Sequence, residues 1–160
     1  MSENLFVHAG PKNEKYQTLL QQVPALLDPQ VDEVANMANL AAALKETFGF
    51  FWVGFYRVQG ESLVLGPFQG PLACTSIAKG KGVCGAAWET SSTLVVNNVH
   101  EFPGHIACSE SSKSEIVVPV LRSGKVLAVL DIDSDEFATF DEIDQNYLEK
   151  ICACLSELYP

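Results

Sequence analysis

The sequence predicts a single α+β domain, a central antiparallel β-sheet flanked by helices. Apolar residues recur at helical spacing near both ends, the middle is rich in β-branched and aromatic residues, and short Gly-containing turn signals divide that middle into strands. At 160 residues the chain suits one domain of ordinary size. Its composition, 48% hydrophobic and 19% charged, is globular rather than disordered.

Tyr16 to Leu27 reads as a helix kinked or broken at Pro24, which leaves residues 1–15 as an N-terminal extension and 16–160 as the domain. Asp28-Pro29 offers a cap and first-position signal for the next helix. There Val31, Val34, Met37, Ala38, Ala41, Leu44 and Phe48 share a face, and Gly49 ends it. Phe50 to Val58 is a strand, Gln59-Gly60 a turn, and Ser62 to Leu65 the hairpin partner. Glycines interrupt the stretch from Gly66 to Gly85; Ala86 to Ser91 suits a short helix and Thr93 to Val96 a short strand. Asn97 to Lys113 is polar and aperiodic, the signature of a long functional loop. Ser114 to Leu121 and Lys125 to Asp133 form an antiparallel hairpin around Arg122-Ser123-Gly124, with Pro119 at an edge or bulge. Thr139-Phe140-Asp141-Glu142 reads as a capping box for a last helix whose buried stripe is Ile143, Tyr147, Ile151, Cys154 and Leu158.

The net charge is −10 and the ten basic residues are scattered, which argues against a nucleic-acid partner. No apolar run approaches the ~20 residues of a spanning helix, and the N-terminus does not resemble a secretory signal. A cytoplasmic address follows, where thiols are kept reduced. The odd count of 5 cysteines argues against a static disulfide framework.

Cys74, Cys84 and Cys108 lie in a stretch dense in Gly, Ser and His. Buried hydrophobes are the plain alternative, since free cysteine is often core. Cys108, on the polar loop beside His105, best fits a reactive thiol, and successive N–H groups of that loop can cradle an anion. A thiol oxidised to a sulfenic acid is resolved by a second cysteine, and Cys84 and Cys74 are both available. His105 is offered as a group that lowers the thiol pKa, with a structural role as its alternative. His100 and His105 lack the spacing of common zinc sites, so no metal is expected. Cys152 and Cys154 lie on different faces of the last helix and read as packing residues.

The strand period places Asp131 and Asp133 on one face, roughly 7 Å apart. A two-residue hairpin loop would point Glu115 away from them, whereas a three-residue loop with Gly124 left-handed would set it opposite Asp131. The three-residue loop is the expectation. Three carboxylates in one patch raise at least one pKa, and such a patch can hold an ammonium group or act as a general acid. A metal and a purely structural strand end are the rivals. Trp52 is an aromatic wall suited to an S-methyl group, with Tyr56 on the same face and Trp88 read as structural.

Phe51-Trp52-Val53-Gly54-Phe55-Tyr56, Gly66-Pro67-Phe68-Gln69-Gly70, Gly82-Val83-Cys84-Gly85, Gly104-His105-Ile106-Ala107-Cys108 and Ser114-Glu115-Ile116-Val117-Val118-Pro119 together resemble the free methionine-(R)-sulfoxide reductases, single-domain members of the GAF family. The resemblance runs from about Tyr16 to Leu158 and implies a GAF fold, a homodimer, no cofactor, and thioredoxin as reductant. It implies that Cys108 attacks the sulfoxide and pairs with Cys84 or Cys74, attack by Cys84 being the other assignment. Trp52 would pack on the substrate methyl, and Tyr56, Asp131, Ile106 and Ala107 would complete the binding set. Glu115, Asp131 and Asp133 would bind the ammonium and protonate the sulfoxide oxygen. A GAF sensor that binds a small molecule or oxidant without turnover is the alternative function.

Overall fold

The computed structural model describes residues 4–105 and 108–159. Among the described residues, four α-helices, α1 (Lys12–Leu26), α2 (Glu33–Phe48), α3 (Gly82–Thr90) and α4 (Glu142–Ser156), and a short 3-10 helix at Val99–Glu101 accompany six strands. These are β1 (Trp52–Gln59), β2 (Ser62–Gln69), β3 (Ser76–Ala78), β4 (Leu94–Val96), β5 (Ser114–Arg122) and β6 (Lys125–Ser134). They form one sheet in the order β3-β2-β1-β6-β5-β4, every neighbour antiparallel. This is the α+β architecture expected, with β1 and β6 at its centre.

The two faces of the sheet bury different sets of residues. Val53 and Phe55, Ile116, Val118 and Val120, and Ala128, Leu130 and Ile132 join the main core with residues of α1, α2 and α4. Each Leu- or Phe-sized side chain buried there stabilises by about 1.5–3 kcal/mol. Tyr16 donates to buried Asp144 at 2.6 Å, and Lys12 reaches the same carboxylate at 2.6 Å, so α1 is pinned to α4. On the opposite face Trp52, Tyr56, Val117 and Val129 pack with Val83, Cys84, Ala87 and Trp88 of α3. Trp88 is thus structural, and Cys152 is a core residue with half-buried Cys154 packed against that core.

Several boundaries differ from the sequence reading, each for a local reason. α1 starts at Lys12 and carries Pro24 inside its last turn. The cap of α2 is Asp32, whose side chain accepts from the N–H of Ala35, while Asp28 is engaged in a turn, accepting from the N–H of Gln30. The buried face of α2 runs through Met37, Leu40, Ala41 and Leu44, leaving Val31, Val34 and Ala38 exposed. Gly49 closes it at φ 67, as expected of a left-handed cap. β2 continues through Gly66 to Gln69, and α3 begins at Gly82 rather than Ala86 because the turn before it is itself packed and hydrogen-bonded, Gly80 N–H to Gly85 C=O at 2.9 Å. In α4 the capping box is Asp141 with Asp144, two residues later than read, and the buried stripe turns to Leu148, Ile151, Cys152 and Leu155.

The β5–β6 hairpin positions the carboxylates. Arg122 pairs with Lys125, so the loop has two residues, Ser123 and Gly124, both at positive φ (52° and 78°). That corrects the three-residue loop. A bulge then intervenes: Leu121 faces Val126 but Val120 faces Ala128, leaving Leu127 as the extra residue. The shift of one brings Glu115 back to the face of the aspartates, opposite Asp133 rather than Asp131. Pro119 lies beyond the reach of β4, which pairs β5 only at 115–117, and so occupies an edge as expected.

Candidate active site

Three strands lay out the floor of the site in rows. Trp52, Asp133 and Glu115 stand side by side across β1, β6 and β5, and Gly54, Asp131 and Val117 make the next row. Tyr56 follows opposite Val129. The Trp52 ring stacks between Phe68 (centroids 5.2 Å) and Tyr56 (6.0 Å). That arrangement requires Gly54, because a Cβ there would lie 2.4 Å from the Phe68 Cβ and 2.8 Å from the Trp52 ring.

Two loops and one helix start form the walls. Trp52 Nε1 donates to the Pro71 carbonyl at 3.0 Å and the Tyr56 hydroxyl donates to the Cys74 carbonyl at 2.9 Å. Both aromatics therefore hold the segment that carries Cys74 over the floor. The loop bearing His105 and Cys108 is tied at its far end, where Val99 N–H donates to Lys113 C=O at 2.9 Å and Lys113 N–H to Ser134 C=O at 2.7 Å. α3 presents Cys84 in its first turn. The cavity so enclosed is lined by Trp52, Tyr56, Cys84, Cys108, Glu115, Asp131 and Asp133, with His105, Phe51, Leu72, Ile77, Lys81, Ser109 and Ser112 around them.

Cys74 and Cys108, 34 residues apart in sequence with Cα atoms 5.4 Å apart, form a disulfide. Of the two candidate partners for Cys108, the structure joins Cys74. Cys84 is a free thiol, 5% exposed, with Sγ 3.9 Å from Glu115 Oε2. Burial, then the nearby Asp131, Glu115 and Asp133, push its pKa well up, so it stays protonated.

The carboxylates are raised as well. Burial is the main cause for Glu115, followed by the charges of Asp131 and Asp133. Asp133 is raised by burial and then by Asp131; Asp131 is raised by burial against hydrogen bonds from its neighbours that pull it down. A patch of this kind carries protons to higher pH than free carboxylates do. The Asp131 Oδ1 is buried and has no hydrogen-bond partner among the described residues. Cys84, Glu115 and Asp131 also offer ligand atoms within 4.8 Å of one another, the one donor set among the described residues that could hold a metal ion.

The fold thus brings together every site residue predicted by the sequence except Ile106 and Ala107, which lie outside the described residues. His105 sits by Cys108 at the cavity, but burial and then His100 lower its pKa. It is therefore a neutral ring at neutral pH and supplies no positive charge to the thiol. Sequence reasoning named Gly54 and Phe68 only within family motifs and gave neither them nor Ser112 a site role of its own. Gly54 had a readable signal, a lone glycine inside an aromatic strand; buried Ser112, one of several loop serines, had none.

The chain matches the family model described as GAF domain over residues 31–156. It is 55% identical over 156 residues to GAF domain-containing protein A of Dictyostelium discoideum, covering 97% of this chain and 99% of that one. It is 41% identical over 155 residues to the free methionine-R-sulfoxide reductase of Saccharomyces cerevisiae, covering 91% and 86%. Among solved structures, the free methionine-R-sulfoxide reductase of Neisseria meningitidis in complex with its substrate superposes with a TM-score of 0.95 at 48% identity, covering 98% of this chain and 95% of that one. Among the described residues, no helix is long and apolar enough to cross a membrane.

Proposed function

The chain belongs to the GAF domain family and, within it, to the free methionine-(R)-sulfoxide reductases, and on that premise we propose that it reduces free L-methionine-(R)-sulfoxide to L-methionine. The observation that supports this most directly is one small cavity lined by Cys108, an indole ring and three carboxyl groups, of which burial and neighbouring charge hold Glu115 and Asp133 protonated to higher pH.

The chemistry follows from those groups. In the reduced protein the Cys108 thiolate attacks the sulfoxide sulfur while Glu115 or Asp133 gives a proton to the oxygen. Oxygen passes to Cys108 as a sulfenic acid and methionine leaves. Cys74 then attacks the Cys108 sulfur, expelling water and forming the disulfide. A reductant must supply two electrons and two protons to reopen it. Cys84 is a poor nucleophile in its acidic, buried setting, which supports Cys108 as the attacking residue.

Trp52 packs on the S-methyl group, Tyr56 supports Trp52 and the Cys74 segment, and Asp131 with its neighbours takes the substrate ammonium. N–H groups of the loop near Cys108 take the carboxylate. An amide offers neither charge, so peptide-bound methionine sulfoxide is refused. The resemblance read from the sequence supports thioredoxin as the reductant and a homodimer, and its span from about Tyr16 to Leu158 supports residues 16–160 as the catalytic domain. The test supplies racemic free methionine sulfoxide, thioredoxin, its reductase and NADPH and follows NADPH. Consumption that stops when one sulfur epimer is exhausted is expected; no oxidation, or equal loss of both epimers, overturns the reading.

A further inference from the structure

We propose that this protein binds one thiophilic divalent cation, of the zinc or cadmium class, between Cys84, Glu115 and Asp131, and that it does so even when Cys74 and Cys108 are joined. The three ligand atoms lie within 4.8 Å of one another and all three residues are buried. Beyond that spacing, Asp131 is 6% exposed and lines the cavity, and its buried Oδ1 has no hydrogen-bond partner among the described residues. Cys84 keeps its thiol in the disulfide form, so the donor set survives the redox cycle of the other two cysteines.

One sulfur and two carboxylate oxygens favour zinc or cadmium over magnesium or calcium, which demand six or more oxygens. Three protein ligands with a fourth position open to the cavity is the arrangement of accessible zinc sites. Ligand atoms around zinc sit about 3.5 Å apart, given bond lengths of about 2.0–2.3 Å, so the side chains close by roughly 1 Å. Asp133, which faces Glu115 across the ladder, stands ready as the outer partner that orients a ligating carboxylate. Nothing is oxidised on binding. Each protonated donor gives its proton to solvent as its bond to the metal forms.

Occupancy covers Glu115 and Asp131, so the cation and free methionine sulfoxide exclude one another; that clause rests on the proposed function, while binding itself does not.

The experiment titrates Cd2+ into the oxidised protein in a Cys154→Ser background, which removes the half-buried thiol of α4, and follows the ultraviolet thiolate-to-cadmium charge-transfer band. Saturation at one equivalent with proton release is expected. The band should vanish in Cys84→Ser, and Asp131→Asn should weaken binding at least tenfold while keeping the band at high cation. Far-ultraviolet circular dichroism confirms the fold of each variant, and Asp131→Asn carries the test if Cys84→Ser does not fold. A band that persists in Cys84→Ser, affinity unchanged by Asp131→Asn, or no saturable binding overturns the site. Excess free methionine sulfoxide should raise the apparent Kd. If cadmium binds as described and the sulfoxide has no effect, the proposed substrate position fails and the cation site stands.

Discussion

Glu115 and Asp133 face each other directly across the β5–β6 ladder, beside Trp52 in the same row of the sheet. Like-charged carboxylates placed so close inside a protein cannot both ionise at ordinary cost. The pair therefore holds a proton where free carboxylates would have lost it, which is what protonating a sulfoxide oxygen requires.

That arrangement predicts opposite effects of one substitution on stability and on turnover. A carboxylate whose folded-state pKa is raised contributes stability fully present below its unfolded value, about 4.3 for Glu, and lost as pH rises through the folded value. Burial and the neighbouring aspartates raise Glu115 in this sense. Glu115→Gln should therefore leave the Tm unchanged below about pH 4 and raise it at pH 8, by about 2–4 °C for each kcal/mol relieved. Turnover of free methionine sulfoxide should fall roughly 100-fold, the usual scale for a lost general acid. Asp133→Asn should act in the same direction. Melting curves across pH, set beside steady-state rates, check both; unchanged kinetics in both variants would make the patch structural.

The cysteine series separates attack from resolution. Cys108→Ser should give neither product nor sulfenate in a single turnover. Cys74→Ser should give one equivalent of methionine and a sulfenic acid on Cys108, trapped by a dimedone-type reagent and located by mass spectrometry. Cys84→Ser should complete its first turnover and close the Cys74–Cys108 bond. Loss of the first turnover in Cys84→Ser with its retention in Cys108→Ser would exchange the two roles.

The bulge at Leu127 makes a sharper prediction. With Leu127 deleted, Val126 and Ala128 become consecutive and still oppose Leu121 and Val120, so the ladder regularises without moving Glu115 from Asp133. Alternation is kept too, since Ala128 belongs to the helix-facing core and Val126 to the site-facing one. The deletion should fold, lose no more than about 1–2 kcal/mol from a half-buried leucine, and retain turnover within a few-fold. Inactivity of a folded deletion variant, checked by circular dichroism and rate, would show that the bulge does more than set register.

The same bulge marks the limit of what the residues disclose. Asp131 and Asp133 announce themselves as polar residues two apart at the end of an apolar strand, and Trp52 and Tyr56 share a face by period alone. Leu127 gives no such sign, because it is one apolar residue in an apolar run and either register buries hydrophobes. The reading reached the correct face for Glu115 through a loop of the wrong length. Helix caps failed for a related reason: Asp28 and Asp32, like Thr139 and Asp141, are competing acceptors a few residues apart, and tertiary packing chooses between them. Cys84 carried its Gly-flanked motif in the sequence, but its burial against Glu115 depends on α3 docking across the sheet, a long-range contact that local pattern does not encode.

Gly54 tests the floor of the site without touching a titratable group. Its neighbours leave no space, with a Cβ meeting the Phe68 Cβ at 2.4 Å and the Phe68 Cα at 2.9 Å. Backbone and a branching carbon cannot swing away as a flexible side chain could, so Gly54→Ala must push β2 from β1 or tilt the Trp52 ring. Overpacking of this kind costs about 1–3 kcal/mol. Because Trp52 holds Pro71 and forms the proposed methyl wall, the displacement should raise KM for free methionine sulfoxide more than it lowers kcat. Trp52→Phe keeps a ring but loses the Nε1 bond, and should show a similar KM rise with a smaller loss of Tm. If Gly54→Ala lowers Tm yet leaves KM unchanged, the ring is packing only, and the methyl group is recognised elsewhere in the cavity.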